Sequence, residues 1–355
     1  DDSPTAGAWA PIERATRAPD PQHATVHIFE ILQRELLGFF GVSHWLKMFA
    51  TNDYSSLLTY AGFTSAVGPL FPVLLVVEVI RALIHKNFKA RDYKLIFFTY
   101  VLNRVLGTYI SITALAFSIA LFQPYAIFQS TVTWYWLIYG YVVWELGHFV
   151  YHFLAHKVRL LWCLHSTHHS PESMNLFVSH AHHFLEAPYA DIIRTSVCML
   201  LGVSPPLMFT IMFIDGFWGT FIHAGEHILR DGRLGVVNRF LLTPSHHRVH
   251  HSRNPLYIDT NYCNLLNIWD RVFGTLQDEQ PDTPPEYGIT RAMKPGSFLD
   301  FYFGELAALA IDVKNAPGLV NKLAYIVMPP GWSHTGEHKT AAALRRTLAA
   351  TATAK

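Results

Sequence analysis

The sequence predicts an all-α, integral-membrane protein, with about four membrane-inserted helices and a histidine-rich helical cap on the cytoplasmic side. Three observations predict it. The 355 residues are 51% hydrophobic and only 15% charged, against roughly 25% charged in an average protein. Apolar residues gather in runs long enough to cross roughly 30 Å of hydrocarbon. Fifteen of the 21 histidines lie between His148 and His251, at spacings that share a helix face. The net charge of +1 gives no electrostatic case for a nucleic-acid partner.

Residues 1–60 are expected to be an irregular N-terminal segment followed by an interfacial helix. The opening Asp1-Asp2-Ser3-Pro4 shows no signal-peptide pattern and reads as a start within a longer chain. Residues 31–50 are amphipathic and aromatic, the pattern of a helix lying on a membrane surface. Residues 61–130 are expected to form a first transmembrane hairpin. Its first leg is Ala61–Ile84, where Glu78 and Arg81 are spaced to pair with each other at the interface. A basic loop follows, His85–Lys94. The second leg, Leu95–Phe122, is interrupted by Asn103 and Arg104 and ends in the uncharged turn Gln123–Ser130.

Residues 131–275 are the expected catalytic region. They hold a third span, Thr131–Leu146, which runs into the first histidine cluster. A re-entrant hairpin follows, Ile192–Val203 and Leu207–Trp218, because Pro205-Pro206 cannot continue a straight helix. By the positive-inside rule the basic loop at 85–94 is cytoplasmic. Counting spans from there puts every histidine cluster on the cytoplasmic side. One span at 61–84 leaves the N-terminus outside, and a shallow hairpin through 31–84 keeps it inside. Residues 276–355 are expected to be a cytoplasmic or interfacial segment: an acidic, Pro-rich loop to 297, a periodic stretch Phe298–Met328, and an Ala-rich tail. Cys163, Cys198 and Cys263 are scattered without a CxxC and read as small buried apolar residues.

Ten histidines form four clusters: His152-x3-His156, His165-x2-His168-His169, His223-x3-His227 and His247-x2-His250-His251. Residues at i, i+3 and i+4 share a helix face, so each cluster can aim two or three imidazoles at one spot. Neutral imidazole suits iron, zinc, copper and nickel. Ten imidazoles exceed the roughly four to six ligands that one first-row metal takes, so two metals in one site is the economical reading. A lone His-x3-His is a weak signal. The twofold recurrence of His-x2-His-His carries the assignment.

Other residues are placed around these ligands. His148 lies one turn before His152; it is an alternative register for the first pair and otherwise sits deeper, behind the metals. His246 breaks the spacing and is placed behind them too. His180, His182 and His183 form a looser group, read as a loop that donates hydrogen bonds, with a substitute ligand as the sharper alternative. Metal-bound imidazoles usually donate their second N–H to a carboxylate or carbonyl. Glu145, Glu172, Glu186, Glu226, Asp259 and Asp270 are close enough in sequence to accept it. A soluble carboxylate-bridged bundle would need two Glu-x-x-His pairs, and only Glu145 with His148 qualifies. The zincin pattern His-Glu-x-x-His is absent.

Two segments, WELGHFVYHFLAHKVRLLWCLHSTHHSPESMNL (144–176) and TPSHHRVHHSRNPLYIDTNYCNLLNIWDRVFGT (243–275), resemble the sterol desaturase branch of the fatty acid hydroxylase superfamily. These are integral-membrane, histidine-box di-iron enzymes. The resemblance covers about Trp134–Thr275. Position by position it matches all ten histidines of the four clusters. His183-Phe184-Leu185-Glu186 resembles a His-Pro-Leu-Glu segment of sterol-modifying members. Phe153 stands where the family often has Arg, and Cys263 follows Asn261-Tyr262 where the family has Gly. Neither departure removes a ligand.

The resemblance implies two iron ions, with zinc able to replace them during purification, dioxygen as co-substrate and an external electron donor. It implies hydroxylation or desaturation of an unactivated C–H bond in a lipid, a sterol or terpenoid or an acyl chain. The implied partners are the membrane, the lipid substrate and a ferredoxin, cytochrome or reductase; no catalytic side chain beyond the ligands is implied. The 243–275 stretch is also similar to ether-lipid-cleaving alkylglycerol monooxygenases, which use a reduced pterin. That is the second reading. A non-enzymatic membrane metal carrier is a third, disfavoured because carriers hold ligands near the bilayer midplane and these clusters lie at and beyond span ends.

Overall fold

The computed structural model describes residues 42–58, Gly62, Ser65, Gly68 and 70–353. The expectations for residues 1–41 lie outside the described residues. Two compact units divide between Val73 and Leu74. In the first, helix α1 (Val42–Thr51) buries Met48 and leaves Leu46 and Phe49 exposed. Among the described residues there is no strand, only isolated bridges at Leu241 with Leu266 and Ser252 with Tyr287. The all-α expectation holds.

Helix α2 (Leu70–Ile84) has 15 residues, roughly 22 Å at 1.5 Å per residue. Its Glu78 and Arg81 do not pair with each other. Glu78 is fully buried against Tyr93 and His227, and Arg81 donates to the His227 carbonyl. A buried carboxylate needs hydrogen-bond donors more than it needs a solvated neighbour, and the interior offers them.

Among the described residues, the next helix is the one long and apolar enough to cross a membrane. It runs Ala90–Tyr125, 36 residues, and contains an 18-residue stretch with a mean hydropathy of 2.0. It comprises α3 (Ala90–Leu102), a π-turn (Asn103–Gly107) and α4 (Thr108–Phe122). The polar pair Asn103 and Arg104 does not end it, because both lie in the π-turn, a single-turn bulge of a kind frequent at functional sites. Asn103 turns inward, donating to the His182 carbonyl at 2.7 Å and accepting from Tyr302 at 3.0 Å. Phe97, Val105, Tyr109, Ile112 and Phe117 face outward.

The remaining expected membrane segments are helices, but shorter or more polar than that one. Helix α5 (Trp134–Lys157) exposes Trp134, Tyr135 and Ile138 and is largely buried from Gly140 onward. The hairpin appears as α7 (Glu186–Leu200) and α8 (Pro205–Phe221). Pro205-Pro206 open α8, where a missing N–H costs nothing, so the turn falls at 201–204. Trp144, Met199, Leu207, Met208 and Ile211 form the core between α5, α7 and α8. At Gly147 a Cβ would lie 3.0 Å from the Arg194 Cα, so α5 and α7 touch backbone to backbone there.

Short elements complete the chain: α6 (Arg159–His169), α9 (Pro244–His250) and α10 (Ile268–Val272). Residues 276–297 are a loop, as expected. The C-terminal segment folds as α11 (Phe298–Asn315), α12 (Gly318–Val327) and α13 (Ala341–Thr353). The basic loop packs onto the segment after α6: Lys89 donates to the Glu172 carbonyl at 2.6 Å, and Asp92 accepts from Glu172 N and Ser173.

Candidate metal centre

The last turns of α5 present His152 and His156. Helix α6 presents His165, His168 and His169, His223 follows α8, and α9 with the next residue presents His247, His250 and His251. The fold gathers nine of these ten-cluster histidines into two buried sets. One is His152, His156, His165, His169 and His250; the other is His168, His223, His247 and His251. Within each set the ligand atoms lie within 4.8 Å of one another. The sets adjoin, with 4.4 Å between the ring centres of His169 and His251.

Helical spacing explains the division. In α6, His165 and His169 are four apart and serve the first set, while His168 serves the second. In α9 the roles reverse: His247 and His251, four apart, serve the second set and His250 the first. Each His-x2-His-His motif therefore bridges both sets, as i, i+3 and i+4 positions on one face can.

The protons are directed by what lies behind the rings. Backbone carbonyls accept from His152 Nδ1 (Tyr262 O, 2.8 Å), His250 Nδ1 (Thr260 O, 2.8 Å) and His223 Nδ1 (Gly219 O, 2.5 Å). A carbonyl cannot donate, so these Nδ1 atoms carry the hydrogen. His165 Nδ1 meets Glu186 at 2.6 Å, and His156 Nδ1 meets Asp259 at 3.3 Å. In each neutral ring the proton on Nδ1 leaves a lone pair on Nε2. The Nε2 atoms of the two sets converge. Nε2 of His152 and His165 are 3.1 Å apart, as are those of His165 and His169; His247 Nε2 lies 2.9 Å from His223 and 3.0 Å from His251. Nε2 of His156 and His250 has no hydrogen-bond partner. At His152 and His165, whose Nδ1 protons are both fixed, acceptor faces acceptor, and a buried site of that kind calls for a cation. The donor set fits two imidazole-binding first-row metals, iron included.

Burial also disfavours charge on eight of the rings. It holds His168, His169, His247, His250 and His251 well below the ordinary imidazole range, with neighbouring imidazoles adding to the effect. Burial lowers His223 to about 3 and His156 to about 4. Behind them, Glu186 is lowered although burial opposes it, because His182 and His165 outweigh that cost.

One segment orients three rings of the first set. Asp259, Thr260 and Tyr262 supply the acceptors for His156, His250 and His152. Asp259 and Asn261 both adopt left-handed backbone, φ 61° and 58°, which Asp and Asn tolerate best after Gly. Asn261 holds the turn by donating to the His246 and Gln277 carbonyls at 2.9 and 2.8 Å.

Several expected site residues lie elsewhere. His227 joins neither set; its Nε2 meets Glu78. His246 caps α9, its Nδ1 accepting from Thr243 N and its Nε2 meeting Asp278 at 2.9 Å. Glu226 is half-exposed and accepts from Tyr287, so it reaches no imidazole. Glu172 pairs with Arg91, Asp270 accepts from Tyr262 N and Cys263 N, and Glu145 accepts from the backbone of Asn264, Leu265 and Leu266. His148 is buried beside His152 and Tyr151 but joins neither set. His183 stacks on Tyr302, its ring centre 4.5 Å away. Glu186 and Asp259 do stand behind ligand-set imidazoles. His182 bonds Glu186 at 3.0 Å and stacks on His168 at 4.2 Å, a place its sequence neighbourhood left open. Glu78 was missed as a site residue; an acid within an apolar run was its only signal.

Known proteins resemble this chain over the region that holds the centre. The fatty acid hydroxylase family matches residues 137–275. Alkylglycerol monooxygenase of Homo sapiens is 31% identical over 240 residues, 65% of this chain and 51% of that protein. An ornithine lipid hydroxylase of Rhizobium tropici is 29% identical over 160 residues, covering 45% of this chain and 47% of its own. A Delta(7)-sterol 5(6)-desaturase of Candida glabrata is 24% identical over 283 residues, 71% and 72% respectively. The chain thus spans about half the length of the first two. No solved structure matches it. Residues 137–275 of this chain are a fatty acid hydroxylase domain.

Proposed function

We propose that this protein is a membrane-bound, non-haem di-iron oxygenase that uses dioxygen and external electrons to oxidise an unactivated C–H bond of a lipid. The observation that carries the reading is the convergence of imidazole Nε2 atoms in two adjoining buried histidine sets. Two irons bound there would supply dioxygen activation. The chain's own part is to disfavour charge on its buried imidazoles, to aim Nδ1 of His152, His156, His165, His223 and His250 at carbonyls and carboxylates, and to exclude water by burial. His152, His156, His165, His168, His169, His223, His247, His250 and His251 are the proposed ligands.

In this reading residues 131–275 are the catalytic region, 61–130 the first membrane hairpin, 1–60 an N-terminal and interfacial segment, and 276–355 a C-terminal cytoplasmic or interfacial segment. The metal centre faces the cytoplasm. Contact between the basic loop at 85–94 and the segment after the second histidine cluster supports placing both on one side, the side that positive charge favours.

The alkylglycerol monooxygenase relatives favour an alkylglycerol, an ether lipid, among the candidate substrates, and the sequence resemblance to such enzymes implies a reduced pterin as electron source. Hydroxylation of the carbon beside an ether oxygen yields a hemiacetal, which separates into an aldehyde and a free alcohol. The test has two stages. Metal content is measured on anaerobically purified protein beside a His168→Ala/His250→Ala variant, with about two irons per chain expected and loss in the variant. Oxygen uptake and products are then compared for alkylglycerol, sterol and acyl-lipid vesicles, each with reduced pterin or with a ferredoxin or cytochrome system. A folded wild-type chain that binds no metal sinks the reading. Aldehyde release only from alkylglycerol with pterin selects the ether-lipid activity.

A further inference from the structure

We infer that the two histidines of His223-x3-His227 do different work: His223 belongs to the four-histidine set, whereas His227 is tied to Glu78. The second metal position is thereby left one imidazole short and open to an exogenous ligand. The inference rests on the two-metal reading and goes beyond it by making the two positions unequal.

Spacing alone puts His223 and His227 on equal terms. The fold separates them. His223 donates Nδ1–H to Gly219 O and turns Nε2 toward His168 at 3.3 Å and His247 at 2.9 Å. Neither ring nitrogen of His227 enters the set. Its Nε2 meets a carboxylate oxygen of Glu78, and that carboxylate also accepts from Tyr93 Oη at 3.1 Å and Leu176 N at 3.5 Å. A nitrogen that donates a proton to a carboxylate has no lone pair left for a metal. Arg81, one turn along α2 from Glu78, donates Nε and Nη2 to the His227 carbonyl at 3.1 and 2.9 Å. Helix α2 therefore grips both the ring and the backbone of His227. Glu78 is fully buried and lies outside residues 137–275, so the grip is set by a part of the chain beyond the hydroxylase domain.

The consequence is arithmetic. The first set offers five imidazoles and the second four, and first-row metals accept roughly four to six ligands. A metal held by the second set would have fewer imidazoles around it and so would leave more room for dioxygen or a substrate atom. Glu78 and His227 both stand outside the two metal positions.

The test is cobalt loading of the full-length, metal-free chain in detergent, read by metal content and by visible absorption with and without azide. His227→Gln keeps an amide N–H for Glu78, and Glu78→Gln keeps an acceptor for His227. Wild type and both variants are expected to bind about two cobalt ions per chain, with unchanged spectra that azide shifts. His223→Gln is expected to lose about one cobalt and the azide response. Loss of about one cobalt from His227→Gln, matching His223→Gln, overturns the assignment, and so does a wild-type spectrum that azide leaves unaltered. If His227→Gln fails to fold, Glu78→Gln decides: an altered cobalt count or spectrum there overturns the inference, and an unaltered one supports it. A folded wild type that takes up no cobalt removes the two-metal reading itself, a result distinct from loss confined to the His227 variant.

Discussion

Glu186 accepts from His165 Nδ1 at 2.6 Å with one oxygen and from His182 Nδ1 at 3.0 Å with the other. One buried carboxylate thus fixes the ring of a first-set imidazole and the loop that lies over the second set. Such a partner usually sets 10–100-fold in metal affinity or activity. Glu186→Ala is expected to weaken metal retention against a chelator by about that factor, with Glu186→Gln intermediate because one acceptor oxygen remains. Retention equal to wild type in Glu186→Ala would detach Glu186 from the centre.

Asn261 is fully buried in left-handed backbone and holds two carbonyls by its amide. Asn261→Ala adds backbone strain and strands those acceptors, at about 1–3 kcal/mol for each effect. A lower unfolding midpoint, together with metal lost first from the five-histidine set, is the expected result. Asn261→Gly relieves the strain alone and should recover only part of the stability. Full recovery by glycine would show that the amide contacts contribute nothing.

Glu145 binds the backbone N–H groups of Asn264, Leu265 and Leu266 at 3.0, 2.6 and 2.9 Å. This caps the segment that follows Tyr262, the acceptor of His152. Glu145→Ala leaves three buried donors unsatisfied, at about 1–3 kcal/mol each. The variant is expected to accumulate as misfolded protein at ordinary temperature, and a monodisperse, metal-replete Glu145→Ala sample would contradict it.

Acid should unfold the metal-free protein early. Burial depresses His156 to about 4 and His223 to about 3, from 6.5. A group with a depressed folded value binds its proton more readily unfolded, so its stabilising contribution is complete above 6.5 and is lost as pH falls toward the folded value. The metal-free chain is expected to lose stability from about pH 6.5 downward, with most of the loss before pH 4. The depressed carboxylates of Asp259 and Glu186 add a further loss at still lower pH. Thermal unfolding at a series of pH values, before and after metal loading, reads this directly. A midpoint flat between pH 7 and pH 4.5 would mean that the rings are not buried as described.

Much of the centre was legible because helical spacing is a local property. His165, His168 and His169 share one face of α6 whatever surrounds it, and His247, His250 and His251 do likewise on α9. The apolar run Leu95–Phe122 needed no tertiary context either, and the long helix formed through Asn103 and Arg104. The glutamate of His183-Phe184-Leu185-Glu186 was marked as a partner for the ligands and stands behind His165.

Other features could not be read this way. Thr260 and Tyr262 act through their carbonyls, which every residue possesses, so no residue type announces them. Glu226 is one residue from His227 in sequence yet turns to Tyr287, because proximity along the chain says little about direction outside a helix. His246 sits beside His247 but on another face of α9, where it caps the helix.

By itself the sequence determined the helical class, the long apolar helix and the histidine spacing, all set by periodicity within single segments. The tertiary structure alone decided how the histidines divide, five with four, and that His227 answers to Glu78 of α2. Those outcomes depend on which buried donor meets which buried acceptor across 149 positions of chain. A buried polar group takes the partner that packing brings within reach, and packing is a property of the whole fold.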